Sequence, residues 1–203
     1  MLTTGFQMMR IFKVGLLALL LALSSCGQDS LKFSAIDISG ADYGRDFSLP
    51  DHDGRTRTLA DFRGKVVMVF FGYTQCPDVC PTSLTEMAQI KSQLGADGDK
   101  FQGVFVTVDP ERDRPTMLKA YMANFDPSFL ALVPAVGELP ALMKNFKIFF
   151  KKVEGPTPSS YTVDHTAGSY IYDTQGRLRL FTRNGTDPER TVADIRLLLR
   201  ASP

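Results

Sequence analysis

Two thiols, Cys76 and Cys80, stand four positions apart inside the run Phe70-Phe71-Gly72-Tyr73-Thr74-Gln75-Cys76-Pro77-Asp78-Val79-Cys80-Pro81. Residues i and i+4 of a helix share a face, with Cβ atoms about 5–6 Å apart. Sulfurs held that way can close on one soft metal ion or oxidise to a disulfide. The spacing leaves both chemistries open, although a full turn between sulfurs suits bridging a metal. Pro77 fits the start of a helix, where no amide donor is needed. Free amides and the positive end of the helix dipole favour the thiolate and predict a lowered thiol pKa. An inert structural disulfide is the blander reading, but so short a loop constrains the unfolded chain little.

Two thiolates leave a copper or zinc ion short of ligands. The chain has two histidines. His52, in the turn Asp51-His52-Asp53-Gly54, reads as a solvated turn residue. His165, in Val163-Asp164-His165-Thr166, falls at a sheet edge before a strand. It is either structural or the third donor, and it is the only well-placed neutral nitrogen. Asp164 is either a hydrogen-bond acceptor behind the His165 ring or a loop carboxylate in water. Asp109 and Asp113 read as helix-capping or loop-shaping residues. Asp78 reads as a tuner of the thiols or a partner contact, not a ligand. Tyr73 and Phe71 read as shielding or core.

The elements that must position these groups follow from pattern. Residues 46–49 and 55–59 flank a turn signal and predict an N-terminal hairpin. Residues 65–71 form a continuous apolar run, the mark of a strand buried on both faces. A helix is expected over 79–94, with Gly95 as its stop. Strands are expected at 104–108, 129–133 and 148–153, helices at 115–123 and 139–146, and a Pro/Ser loop at 155–160. Residues 168–172 and 178–181 flank another turn. Pro188 opens a last helix with Val192, Ile195, Leu198 and Leu199 on one stripe. Together these predict an α/β domain around a central mixed sheet flanked by helices.

The chain has 203 residues, 44% hydrophobic and 22% charged, which suits one globular domain. Its N-terminus reads as a signal segment. Arg10 and Lys13 precede an apolar run at 14–23, too short for a typical membrane span. Leu23-Ser24-Ser25-Cys26-Gly27 resembles a bacterial lipobox. The expectation is a signal peptide at 1–25, lipid on Cys26, a tether over 26–45 and the domain at 46–203, on the periplasmic side of the cell membrane. Met8 or Met9 is an alternative start. Removing residues 1–25 takes two of the 23 bases and none of the 22 acids, so the mature net charge is −1. Near-neutrality without a basic run argues against nucleic-acid binding. With Cys26 acylated, Cys76 and Cys80 are the only cysteines left of three, so they are read as chemistry and not as staples.

The stretch Gly64-Lys65-Val66-Val67 through the thiol motif, the later Val108-Asp109-Pro110-Glu111-Arg112-Asp113 and the pair Asp164-His165 resemble the three ordered motifs of the Sco/SenC family of copper proteins. The resemblance runs from about Phe47 to Leu199. It implies a thioredoxin-like fold and copper, as Cu(I) or Cu(II), held by Cys76, Cys80 and His165. Three residues separate the thiols here, against two in thioredoxin-type oxidoreductases. The implied role is a metallochaperone for the dinuclear copper centre of cytochrome c oxidase, with subunit II or another copper protein as partner. The alternative is a thiol-disulfide oxidoreductase whose redox pair is Cys76 and Cys80. A Cys76–Cys80 disulfide would remove two of three ligands, so metal loading and oxidation would exclude each other. Whether the protein is an enzyme stays open between these readings. The want of a matching peroxidatic-cysteine motif argues against a peroxidase.

Overall fold

Seven consecutive buried residues make β4 (Val66–Gly72), and seven more make β5 (Phe101–Thr107). Strands apolar on both faces must lie in the middle of a covered sheet, and these two pair in parallel at its centre, Val69 opposite Val104. The computed structural model describes residues 31–157 and 160–201. The remaining strands are β1 (Ile36–Asp37), β2 (Leu49–Pro50), β3 (Thr56–Arg57), β6 (Leu130–Leu132), β7 (Phe150–Val153), β8 (Thr162–His165), β9 (Gly168–Tyr172) and β10 (Leu178–Arg183). The central sheet runs β1-β10-β9-β4-β5-β6, antiparallel from β1 to β4 and parallel from β4 to β6. The helices are α1 (Val79–Leu94), α2 (Pro115–Ala123), α3 (Leu139–Asn145) and α4 (Pro188–Ala201). The expected mixed α/β architecture is present, and β2 and β3 form the expected N-terminal hairpin.

α1 links β4 to β5 and packs against α4. Its buried stripe is Cys80, Ser83, Leu84, Met87, Ile90 and Leu94. Cys80 therefore belongs to the helical period that faces the core. Gly95, at φ 60°, ends the helix in a backbone conformation that a side chain would strain. Among the described residues, no helix is long and apolar enough to cross a membrane.

Two expectations need correction. Part of the segment read as a tether is folded: Ile36 and Asp37 pair with Phe181 and Leu180, and the Ser34 and Ala35 amides donate to the Asp194 carboxylate at 2.9 and 2.8 Å. The compact unit accordingly begins at Phe33, not at residue 46. Long-range pairing supplies order that the local sequence does not. Second, His165 is not at the edge of the central sheet. Residues 162–165 are a strand, β8, which pairs with β7 in a two-stranded sheet of its own.

Close packing brings β4 to the thiols. A Cβ built on Gly72 would lie 2.8 Å from Cys80 Sγ and 2.9 Å from ring carbons of Phe105 and Phe70. Gly72→Ala should therefore destabilise the fold by about 1–3 kcal/mol, the usual cost of overpacking, and displace the Cys80 sulfur. Urea denaturation checks the first effect. Unchanged stability would mean that this approach is slack.

Candidate metal centre

Cys76 lies in the turn after β4, where its amide donates to the Tyr73 carbonyl at 3.3 Å. It is half-buried, whereas Cys80 is fully buried in the first turn of α1. His165 ends β8. The three ligand atoms of Cys76, Cys80 and His165 lie within 4.8 Å of one another, with Cys80 Sγ 3.5 Å from His165 Nε2. Residues 85 positions apart thus meet at one point. An open depression of about 390 Å³, lined by Tyr73, Cys76, Pro77, Val79, Asp164 and His165, gives access from one side.

The His165 ring has a fixed orientation. Its Nδ1 lies 3.1 Å from the Thr166 carbonyl. A carbonyl only accepts, so Nδ1 carries the proton and Nε2 presents its lone pair toward the thiols. Phe70 and Tyr73 meet the imidazole edge-on, with ring centroids 6.0 and 6.1 Å away. Burial lowers the His165 pKa, keeping the ring neutral at pH 7 and able to ligate; the Thr166 carbonyl and Asp164 oppose that shift without cancelling it. The acceptor behind the ring is therefore the Thr166 carbonyl and not the Asp164 carboxylate. Asp164 is exposed, because successive side chains of a strand point to opposite faces. Phe70, and not Phe71, faces the imidazole; Phe71 packs on Phe146 at 5.0 Å.

The lowered thiol pKa expected at a helix start fails at Cys80. Burial pushes this thiol strongly up, and the neighbouring Cys76 adds to the shift; only the Tyr73 amide, which donates to the sulfur, opposes it. Desolvation outweighs the helix terminus because Cys80 sits on the core stripe. A metal ion must displace its proton to bind, so binding weakens as pH falls. Cys76 and Cys80 stand as free thiols.

The loop after β5 holds the thiol turn, a role that the capping reading of Asp113 missed. Asp113 is buried at 1% exposure, and its carboxylate accepts the Thr74 amide at 3.1 Å and the Thr107 hydroxyl at 2.6 Å. Burial raises its pKa, and these donors only partly oppose the shift. Asp109 forms an ion pair with Arg112 and accepts the Tyr161 hydroxyl at 2.7 Å. The Tyr73 ring, in the thiol turn, packs edge-on against the His165 ring of β8. His52 also departs from its reading: its side chain is 7% exposed and Nδ1 accepts the Ala131 amide at 3.2 Å. Cys26 and the signal segment lie outside the described residues.

Two thiols and a neutral imidazole, mutually within ligand distance and open on one side, fit a thiophilic ion of low coordination number. The SCO1/SenC family model matches residues 37–200. The chain belongs to the SCO1/SenC family. A SCO2-like protein of Rickettsia felis is 34% identical over 170 residues, covering 81% of this chain and 80% of the relative. The mitochondrial SCO2 homolog of Mus musculus is 35% identical over 153 residues, 74% of this chain; the chain spans only 60% of that relative's length. The solved structure of Bradyrhizobium japonicum ScoI with copper bound matches with TM-score 0.70 at 38% identity, covering 78% of this chain and 99% of that one. The fold is that of the thioredoxin-like SCO1/SenC proteins.

Asp113→Ala would remove the acceptor of the Thr74 amide, the Thr74 hydroxyl and the Thr107 hydroxyl, the last still accepting the Asp109 amide. At roughly 1–3 kcal/mol for each orphaned buried donor, it should lower stability by about 3 kcal/mol, with Asp113→Asn affected less. A urea series on both variants checks this; equal losses would show that the retained acceptor contributes nothing.

Proposed function

We propose that this protein is an extracytoplasmic copper metallochaperone. It binds copper through Cys76, Cys80 and His165 and helps assemble the dinuclear copper centre of cytochrome c oxidase, with subunit II or another copper protein as recipient. The observation that carries this reading is the convergence of the three ligand atoms within 4.8 Å, with Cys80 Sγ and His165 Nε2 3.5 Å apart. Family membership and the copper-bound Bradyrhizobium relative support copper as the ion. A three-donor site facing an open depression leaves one side free for the ligands of a recipient, so copper can pass by exchange. Two thiolates and one imidazole suit Cu(I), and thiolate also holds Cu(II). Oxidation of the pair to a Cys76–Cys80 disulfide removes two donors, so copper is held and passed on in the dithiol state, and a two-electron reductant must return the disulfide to two thiols before loading.

A second reading rests on the asymmetry of the pair. Cys76 is half-exposed and Cys80 buried, the arrangement of an attacking and a resolving thiol in a thiol-disulfide reductant. His165 separates the two. Anaerobic Cu(I) titration of the reduced protein should give one tight equivalent per monomer. His165→Ala should weaken it at least about tenfold, given that losing even an outer partner of a ligand costs 10–100-fold, while thiol exchange persists. Equal loss of both activities would contradict this division of labour.

The basic, then apolar, then small-residue pattern ending at Cys26 supports a lipid anchor on the periplasmic side of the bacterial membrane. Cys26→Ser should move the protein from the membrane to the soluble fraction. A variant that stays membrane-bound after a high-salt wash would overturn the anchor.

A further inference from the structure

We infer that Arg112 is a positioning residue that holds the His165 hairpin in register with the thiol turn; the inference rests on the copper-site reading above. Arg112 is not a ligand. Its Nε is paired with the Asp109 carboxylate. Its Nη1 donates both to Gln75 Oε1 at 3.0 Å and to the Tyr161 carbonyl at 2.9 Å. Its guanidinium lies 3.5 Å from the Tyr161 ring centroid and 5.7 Å from that of Tyr73. Gln75 immediately precedes Cys76, and Tyr161 immediately precedes β8, which ends in His165. One planar cation therefore joins the segment bearing the thiols to the segment bearing the imidazole.

The need for such a clamp follows from topology. β7 and β8 pair only with each other and share no ladder with the central sheet. Thr166 and Ala167 tether the end of β8 to β9 of the central sheet, but among the described strands no ladder fixes β8 relative to α1, so side chains supply the rest. Tyr73 meets β8 at the His165 ring. Arg112 grips the approach to it, and Asp109, through the Tyr161 hydroxyl, holds the far end of the same ring. A lysine keeps the charge beside Asp109 but loses the flat fork that reaches two acceptors and stacks on a ring.

The test compares the reduced full chain with Arg112→Lys, Gln75→Leu and the double variant. In the metal-free protein, ¹⁵N shifts of the His165 ring should show one Nδ1–H tautomer. Arg112→Lys should move them toward an averaged pair. Cu(I) competition should show affinity about 10–100-fold weaker in Arg112→Lys, as for outer partners of metal ligands, with a shifted Cu(II)–thiolate absorption band. Gln75→Leu should lose less, and the double variant should lose no more than Arg112→Lys alone, because both act through one contact. Wild-type tautomer and affinity in Arg112→Lys, or penalties that add in the double variant, would overturn the assignment. If Arg112→Lys does not fold, Gln75→Leu decides, because it leaves the buried ion pair untouched; an unchanged tautomer there overturns it. If the wild type binds no copper, the copper reading fails, and the metal-free tautomer still tests the clamp.

Discussion

Cys80 occupies a position that the period of α1 assigns to the hydrophobic core, and the site is arranged around that constraint. Its sulfur rests against Gly72, where a Cβ would come within 2.8 Å. Burial keeps the thiol protonated and inert until something replaces its proton. The neutral imidazole of His165, 3.5 Å away, meets it from the opposite hairpin. A buried thiol beside a half-exposed one makes the pair unequal: Cys76 meets solvent and Cys80 does not.

The donors come from substructures with different rigidity. The thiols hang from the parallel centre of the sheet, where β4 and β5 are wholly buried. His165 ends a two-stranded sheet that shares no ladder with the central one among the described strands and joins it through Thr166 and Ala167. Asp113 closes the first half by bonding Thr74 to Thr107, and Tyr73 and Arg112 join the halves. Pre-organisation of the metal geometry is therefore distributed over residues that never touch the ion.

Much of this was legible in sequence, for reasons that differ by element. The run at 66–72 and the stripe from Cys80 to Leu94 are set by local pattern, so β4 and α1 appear where expected. β1 was not legible, because two exposed residues gain order only from Phe181, Leu180 and Asp194 far along the chain. β8 was hidden for a similar reason, being polar and dependent on β7. The thiol spacing announced a site and its need for a third donor pointed to His165, but the family motif decided between ligand and structural residue. Asp113 and Arg112 carried no local signal of their role, since Thr74 and Tyr161 lie 39 and 49 residues away. The thiol pKa was misread because helix position was weighed without burial.

Two substructures bring Cys76, Cys80 and His165 together as one candidate ligand set. Copper K-edge X-ray absorption of the singly loaded, reduced protein tests it most directly. Two sulfur scatterers and one imidazole around each copper are the predicted result. A shell of sulfur alone, or one unchanged by His165→Ala, would contradict it.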